Sequence, residues 1–352
     1  MTEPEVSIGM PVRNGARYLP QALDSILGQT FEDLELVVCD NASTDDTEAV
    51  VRQYARSDPR VRYFRSDVNR GAVPNYNRAF RLSRGRYFKW AAHDDTLEPR
   101  CLERGVAALR DDPGLVLAHS PVRAVDRRGR ELRVEEAALG ACASARTSER
   151  FAAVVLLPHR SVEIFALVRS DALRRTSLQL PYHGCDRALV AELALLGRFH
   201  HDPEPLFNNR RHAEQYVRAV PAEERASWAL ASAPRRVGVP TLTLYRHYCR
   251  AIERYVPGAV ERARCRRALG RWWFSGWNAA RILVEAASFL DPGLHRAAAR
   301  ARRLVEPDAA PPAGDPARRE ASEPYRAGSP ESGLGTVSTF APPGLSQRGT
   351  FP

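Results

Sequence analysis

Lysine, methionine and regularly spaced cysteine are all scarce in this chain of 352 residues. There are two methionines and six cysteines, and Lys89 is the only lysine. That lysine lies inside an apolar stretch, which excludes a GxxxxGK[ST] phosphate loop and disfavours a lysine-dependent nucleotidyltransferase loop. No GxGxxG follows the first apolar run, so a dinucleotide-binding Rossmann enzyme is disfavoured too. Cysteines 39, 101, 142, 185, 249 and 265 form no CxxC pair, which argues against a zinc ribbon or a disulfide framework and for reduced, mostly buried thiols. The best apolar stretches, Ala152–Leu157 and Ala188–Leu196, are too short or too charged to span a bilayer. No basic, apolar, small-residue leader precedes Val6, so a cytoplasmic protein is expected.

What is present is ordinary globular composition, with 44% hydrophobic and 27% charged residues. The formal charge of +10 comes almost entirely from arginine. These arginines are scattered rather than gathered into an arm, and no recognition motif accompanies them, so nucleic acid is not an expected partner. A basic surface would still favour acidic substrates or an anionic membrane.

The first 120 residues alternate strand and helix signals. Strands are expected at Val6–Val12, Leu34–Cys39, Val61–Phe64, Tyr87–Ala92 and Leu115–His119. Helices are expected at Tyr18–Leu27, after Asp45 with Glu48 at capping-box spacing, at Ala72–Leu82 and at Glu98–Leu109. Such alternation means an α/β domain with a mostly parallel sheet covered on both faces. From 121 to 240 the pattern loosens: a strand at Ile164–Val168, a helix at Arg187–Leu196, and an edge-like segment Phe199–Phe207 broken by Pro203 and Pro205. Residues 241–304 read as an arginine-rich helical extension with an aromatic cluster at Trp272, Trp273, Phe274 and Trp277. Residues 305–352 hold nine of the 26 prolines and read as a disordered tail.

Ligands of an open parallel sheet bind outside the carboxyl ends of its strands. Polar groups gather at three such ends: Arg13-Asn14-Gly15, Asp40-Asn41-Ala42-Ser43 and His93-Asp94-Asp95. Two adjacent carboxylates, Asp94 and Asp95, are hard-oxygen ligands suited to Mn²⁺ or Mg²⁺. Asp95-Thr96-Leu97-Glu98 is equally a capping-box spacing for the next helix. Asp40 would accept a nucleobase N–H or a ribose hydroxyl, or else anchor its own turn. Arg13 offers a guanidinium for phosphate, within a stretch that also reads as a plain tight turn.

Together, Ser7-Ile8-Gly9-Met10-Pro11-Val12-Arg13-Asn14-Gly15, the run Ala22 to Thr30 and the run Asp40 to Thr47 resemble family 2 glycosyltransferases. Asp58-Pro59-Arg60, Asn69-Arg70-Gly71 with Asn77, and His93-Asp94-Asp95 continue the likeness in the family's order. It is dense over about residues 5–120 and thinner to about 216.

The resemblance implies a GT-A fold over residues 1–240, with a nucleotide-sugar half to about 120 and an acceptor half beyond. It assigns Pro11, Val12, Arg13, Asn14, Asp40, Asn69 and Asn77 to the donor site, and Asp94, Asp95 and His212 to a divalent metal. Where many members carry Asp-x-Asp-Asp, this chain has Ala92-His93-Asp94-Asp95. Gly184-Cys185-Asp186 matches a Gly-Glu-Asp stretch whose last aspartate is the catalytic base, and Asp186 by itself is also a good helix N-cap. A helix N-terminus would help keep that carboxylate ionised. Arg210 and Arg211, from the stretch Arg210-Arg211-His212, would neutralise the leaving diphosphate.

The expected function is an inverting, metal-assisted transfer from a nucleoside-diphosphate sugar to a saccharide or glycolipid hydroxyl. Residues 241–304 could touch the inner face of a membrane. The alternative is a non-catalytic GT-A scaffold that holds nucleotide or glycan.

Overall fold

The computed structural model describes residues 3–136, 139–157, 161–182, 184–212, 239–275 and 278–287. The expected tail, and Trp277 of the aromatic cluster, lie outside the described residues. In chain order the strands are β1 Val6–Val12, β2 Leu34–Asp40, β3 Val61–Arg65, β4 Tyr87–Trp90, β5 Thr96–Leu97, β6 Leu115–His119, β7 Val122–Val125, β8 Glu131–Glu135, β9 Leu167–Arg169, β10 Arg198–His201 and β11 Phe207–Arg210. The helices are α1 Leu19–Leu27, α2 Thr47–Ser57, α3 Ala72–Arg81, α4 Cys101–Asp111, α5 Thr147–Leu156, α6 Ser170–Arg175, α7 Cys185–Leu196, α8 Pro240–Tyr255, α9 Ala259–Trp272 and α10 Asn278–Ala287.

Seven strands form the central sheet, in the order β10-β6-β9-β4-β1-β2-β3. β1 runs parallel to β2 and β4, β2 to β3, and β6 to β10, while β9 is antiparallel to both β4 and β6. This is the mostly parallel sheet expected from the sequence, and β1 and β2 are buried at every position because helices cover both faces. Gly9 lies so close under Phe88 that an added Cβ would sit 2.6 Å from its ring. One face packs Phe88, Trp90 and Phe151 against α7, with Tyr248 of α8 and Trp272 of α9 in the same core. The other packs Ile8, Tyr87 and Leu102 against α1 and α4. No described helix is long and apolar enough to cross a membrane.

At the amino ends of the strands, Glu35 is buried and takes hydrogen bonds from Ser7 Oγ (2.6 Å), Arg62 Nη1 (2.7 Å) and Arg84 Nη2 (2.8 Å). Those donors, with the Arg84 backbone N–H, outweigh the burial that raises its pKa and hold the carboxyl below its ordinary value.

The structure departs from the local expectations at five points. A second sheet, in the order β5-β11-β7-β8, was not foreseen, because its strands are two to five residues long and carry no clear alternation. Thr96 and Leu97 pair with β11, so α4 begins at Cys101 rather than Glu98 and Asp95 caps nothing. Asp45 does take the Thr47 N–H at 3.1 Å, but Glu48 turns to Arg52 and Arg65, leaving that capping box open. The stretch Phe199–Phe207 divides at its prolines into β10 and β11, and the Ile164–Val168 stretch is a 3₁₀ turn, Val162–Phe165, followed by β9.

Candidate active site

The carboxyl ends of β1, β2 and β4 converge. After β1 the chain turns through Asn14, whose φ of 53° is left-handed, and after β2 through Ala42 at 57°. Such conformations persist in non-glycine residues only where neighbours hold them. Here Asn14 N donates to Ser43 Oγ (3.0 Å), Thr44 N to Asn14 Oδ1 (2.9 Å) and Gly15 N to Thr47 Oγ1 (2.9 Å). Gly15 is also pressed against His93, where a Cβ would lie 2.5 Å from the ring, so no larger residue fits between the two strand ends.

Within this junction the expected donor-site residues separate. Arg13 and Asn14 are exposed at the end of β1, while Pro11 and Val12 are buried within the strand, Val12 O accepting from Asn41 N (2.9 Å). Asp40 is fully buried. Its Oδ1 accepts from Ser43 N (2.8 Å), its Oδ2 accepts from Tyr63 Oη (2.7 Å), and Arg65 Nε stands 3.5 Å away, so it performs the turn-anchoring role. Asn69 is exposed, and its Oδ1 accepts from Asn41 Nδ2 and Gly71 N at 2.8 and 2.9 Å. Asn77 is buried in α3 and bonded to the backbone of Gln179 through both its amide atoms, at 2.9 and 3.1 Å.

The three expected metal ligands separate as well. Asp94 Oδ2 meets His212 Nε2 at 2.8 Å, and both side chains are nearly buried. Burial raises the Asp94 pKa, but the His212 hydrogen bond and the adjacent imidazoles outweigh it and hold the carboxyl low. Asp95 turns elsewhere: both its oxygens accept from Asn209 Nδ2 (3.0 Å) and Oδ1 also from Arg210 N (2.8 Å). Burial, with the Asp94 charge beside it, pushes its pKa up. Among the described residues no three acidic, histidine or cysteine side chains form a metal cluster. One carboxylate and one imidazole still suit a Mn²⁺ or Mg²⁺ whose remaining ligands are diphosphate oxygens and water. Asp94 and His212 fit that role, and Asp95 does not.

Arg210 is not available to a diphosphate. Its guanidinium is buried and donates to Asp94 O (2.9 Å), Arg127 O (3.1 Å) and Gln21 Oε1 (2.7 Å), lying 4.8 Å from the Tyr18 ring centroid. Arg211 donates to Glu135 at 3.0 Å. The basic loop expected to face the leaving group instead fastens β11 to the strand ends.

Asp186 stands in the first turn of α7, after Gly184 with its φ of 91°. It is half-buried, and loss of solvation raises its pKa, opposed by the Gln179 amide and the Cys185 thiol, whose Sγ donates at 3.7 Å. Burial thus outweighs the helix N-terminus expected to keep this group ionised.

Two contributors went unnoticed in the sequence. Tyr76 has its phenol pushed up first by burial, then by the charges of Asp186, Asp94 and Asp95, so both carboxylate groups lie within electrostatic reach of one hydroxyl. Gln179 is 3% exposed, and its side-chain amide is the group that opposes the rise in the Asp186 pKa. An isolated tyrosine on an amphipathic helix and a glutamine in an irregular segment carry no signal of their own.

Residues 7–173 match the model of Glycosyl transferase family 2. Chondroitin synthase from Escherichia coli is 38% identical over 126 residues, covering 36% of this chain and 18% of the synthase. Hyaluronan synthase from Pasteurella multocida is 35% identical over 126 residues, again 36% of this chain and 13% of that protein. The chain therefore corresponds to less than a fifth of either synthase. Among solved structures, S. aureus TarS 1-349 in complex with UDP superposes with a TM-score of 0.56 at 15% identity, covering 77% of this chain and 72% of TarS 1-349. The same protein in complex with UDP-GlcNAc gives 0.55 at 16% identity, with coverage of 76% and 71%. The fold is thus the GT-A fold. Asp186 and His212 lie beyond the segment that the family model matches.

Proposed function

From the match of residues 7–173 to Glycosyl transferase family 2, we propose that this chain is a metal-assisted, inverting glycosyltransferase acting on a saccharide or glycolipid hydroxyl. The observation that carries the reading is α3, whose Tyr76 O accepts from Trp90 Nε1 of β4 at 3.0 Å and whose Asn77 is bonded to the backbone of Gln179, ahead of α7, at 2.9 and 3.1 Å. That supports a reading in which a diphosphate site after β4 and a base at the start of α7 serve one reaction.

In this reading Asp186 accepts the proton of the acceptor hydroxyl while that oxygen attacks the anomeric carbon from the face opposite the diphosphate. The raised pKa makes the carboxylate a better base than an exposed aspartate. Asp94 and His212 would hold Mn²⁺ or Mg²⁺, which when bound offsets charge on the departing phosphate. Arg13 and Asn14 are the donor-site residues exposed at the strand ends. Since S. aureus TarS 1-349 was solved with UDP and UDP-GlcNAc, a uridine diphosphate sugar is the first donor to try. A location at the inner face of a membrane is part of the proposal. It is supported by Phe274 and Val260, 89% and 65% exposed, beside the exposed Arg267 and Arg271.

The test is thermal stability with UDP, dTDP and GDP, each with and without Mn²⁺, on wild type and Asp94→Asn. A native-state ligand raises stability by RT ln(1 + [L]/Kd). A metal-dependent rise with one nucleotide, lost in Asp94→Asn, is the expected result; no rise with any of them would refute the donor site. Nucleotide binding without turnover, across saccharide acceptors and the matching donors, would favour the non-catalytic scaffold.

A further inference from the structure

Ligands of an open sheet bind at the carboxyl ends of its strands, so a hollow at the amino ends falls outside the proposed transfer. One lies there, with a volume of about 510 Å³, and Glu3, Glu5, Arg84, Arg86, Arg110 and Arg174 are among the residues that line it. Gly85 is pressed onto β1: its N donates to Ser7 Oγ at 2.7 Å, and an added Cβ would lie 2.5 Å from Ser7 N. Arg84 and Arg86 therefore sit on a turn held against the sheet. Ser170 Oγ donates to Gly85 O at 2.6 Å and Ser170 N to Arg86 O at 3.0 Å, which fastens α6, and Arg174 with it, to the same turn. Glu5, just before β1, takes the Tyr87 N–H on its carbonyl at 2.9 Å and Arg110 Nε, from the end of α4, on its carboxylate at 2.8 Å.

Two of the four guanidiniums are already neutralised. Arg84 donates to the buried Glu35 through Nε and Nη2, at 3.1 and 2.8 Å, and Arg110 is paired with Glu5, with Asp33 close enough to reinforce it. Arg86 and Arg174 have no ion-pair partner among the described residues. Arg86 rests over the Tyr87 ring, 5.5 Å from its centroid, a contact that orders the side chain without neutralising it. Glu3 lines the hollow too, but it is exposed, and water weakens its hold on either arginine.

We propose that this hollow binds a phosphate group, separately from the donor site at the carboxyl ends of the strands. A phosphate monoester carries about 1.5 to 2 negative charges at neutral pH. Its oxygens suit the paired N–H groups of a guanidinium, which take them two at a time. Two unneutralised forks on fixed supports match that charge and that geometry. A lone carboxylate would satisfy one fork and leave the other unpaired, and a neutral ligand would gain nothing from either charge. The volume is that of a small-ligand pocket, and all four arginines are exposed, so the remainder of the ligand can stay in water. Neither Asp186 nor a metal ion is needed.

Inorganic phosphate is the first probe, added to full-length protein in EDTA so that no divalent ion can bridge it to Asp94. Broadening of the phosphate ³¹P resonance by wild type should saturate with Kd on the order of 1 mM, and sodium acetate at matched ionic strength should not relieve it. Arg174→Gln should weaken binding about tenfold, as the loss of one charge-assisted hydrogen bond does, and Arg86→Gln added to it should abolish binding. Both variants are checked for folding by circular dichroism, and Asp94→Asn should bind phosphate as wild type does. Vesicles then separate the two sources of a phosphate, with Phe274→Glu as the parent so that the other surface is silent. Phosphatidylcholine vesicles with about 20% phosphatidic acid are compared with vesicles brought to the same charge by phosphatidylserine. Preference for phosphatidic acid, lost with Arg86 and Arg174, assigns a lipid headgroup; phosphate binding without that preference assigns a soluble phosphate. The proposal is overturned if phosphate gives no saturable broadening, if acetate competes equally, if the double variant binds as wild type does, or if Asp94→Asn abolishes binding. None of these results requires nucleotide binding or sugar transfer, so a failure here stays distinguishable from a failure of the donor site.

Discussion

Asn77 and Gln179, 102 residues apart in sequence, exchange two hydrogen bonds: Asn77 Nδ2 donates to Gln179 O at 2.9 Å, and Gln179 N donates to Asn77 Oδ1 at 3.1 Å. The clamp fastens α3 to the segment that leads into Asp186. Leu178 beside it has a φ of 56°, and Ser177 is tied through its N–H and hydroxyl to Glu192 of α7 at 2.7 and 2.9 Å. Strain of this kind is retained where the surroundings over-determine it, and it clusters at functional sites.

Asn77→Leu removes both bonds and leaves a buried N–H and C=O without partners. The expected cost is about 2–4 kcal/mol, read from the shift in urea midpoint. Folded Asn77→Leu should bind nucleotide as wild type does while transferring sugar more slowly. Lost nucleotide affinity at unchanged stability would instead place Asn77 on the donor.

The raised pKa of Asp186 has two consequences of opposite value. As a base it must be ionised, so the acid limb of the rate profile should lie above the ordinary aspartate value of 3.8 and vanish in Asp186→Asn. For stability, the folded state holds this proton more tightly than the unfolded state, so stability falls as pH rises from the unfolded pKa through the folded one. Asp186→Asn should therefore unfold at a higher temperature than wild type at pH 7 while losing about 10²–10⁴ in transfer rate. A less stable variant with undiminished turnover would remove Asp186 from the role.

Neighbouring carboxylates should behave differently. Asp94→Asn can keep a hydrogen bond to His212, so it should fold nearly as wild type does yet lose metal-dependent nucleotide binding. Asp95→Ala strips acceptors from Asn209 Nδ2 and Arg210 N, at about 1–3 kcal/mol for each buried donor left unpaired. Calorimetric unfolding together with UDP–Mn²⁺ titration separates the two, and equal effects of both variants on metal binding would contradict the assignment.

Glu35 sets an acid limit on the fold. Its folded pKa lies below its unfolded value, so its contribution is complete above about pH 4.5 and is lost as pH falls through the lower, folded value. Breaking a buried pair typically costs 3–5 kcal/mol, but Arg62 and Arg84 remain partly in water, so Glu35→Gln should cost about 2–3 kcal/mol at pH 7. The gap between variant and wild type should narrow on acidification; urea midpoints measured from pH 7 down to pH 3 would show it, and a gap independent of pH would disprove the account.

Membrane contact has its own test. Wild type should sediment with vesicles containing anionic lipid and less so at high salt, and Phe274→Glu should weaken the association. Equal sedimentation with neutral vesicles, or none with either kind, would exclude the proposed surface.

The amino-acid sequence by itself determined the five main strands and four helices of the first 120 residues, though not β5 or the start of α4, together with the mostly parallel sheet and the three polar strand ends, because apolar periodicity and turn chemistry are local. It put Asp186 at the start of the helix Arg187–Leu196 as an N-cap, whereas α7 begins at Cys185 with Gly184 in the cap position and Asp186 inside the first turn. Tertiary structure decided what each polar side chain does. Asp95 bonds Asn209 and Arg210, more than 110 residues away; Arg210 reaches back to Gln21; and Asn77 grips Gln179. A carboxylate, guanidinium or amide at a strand end serves a ligand or the fold equally well. The choice falls to whichever partner the packed chain brings within hydrogen-bonding distance, since a buried polar group left unpaired is costly. In the proposed reading Asp94, His212 and Asp186 serve the ligands, while Asp40, Asp95 and Arg210 are taken up by hydrogen bonds within the fold.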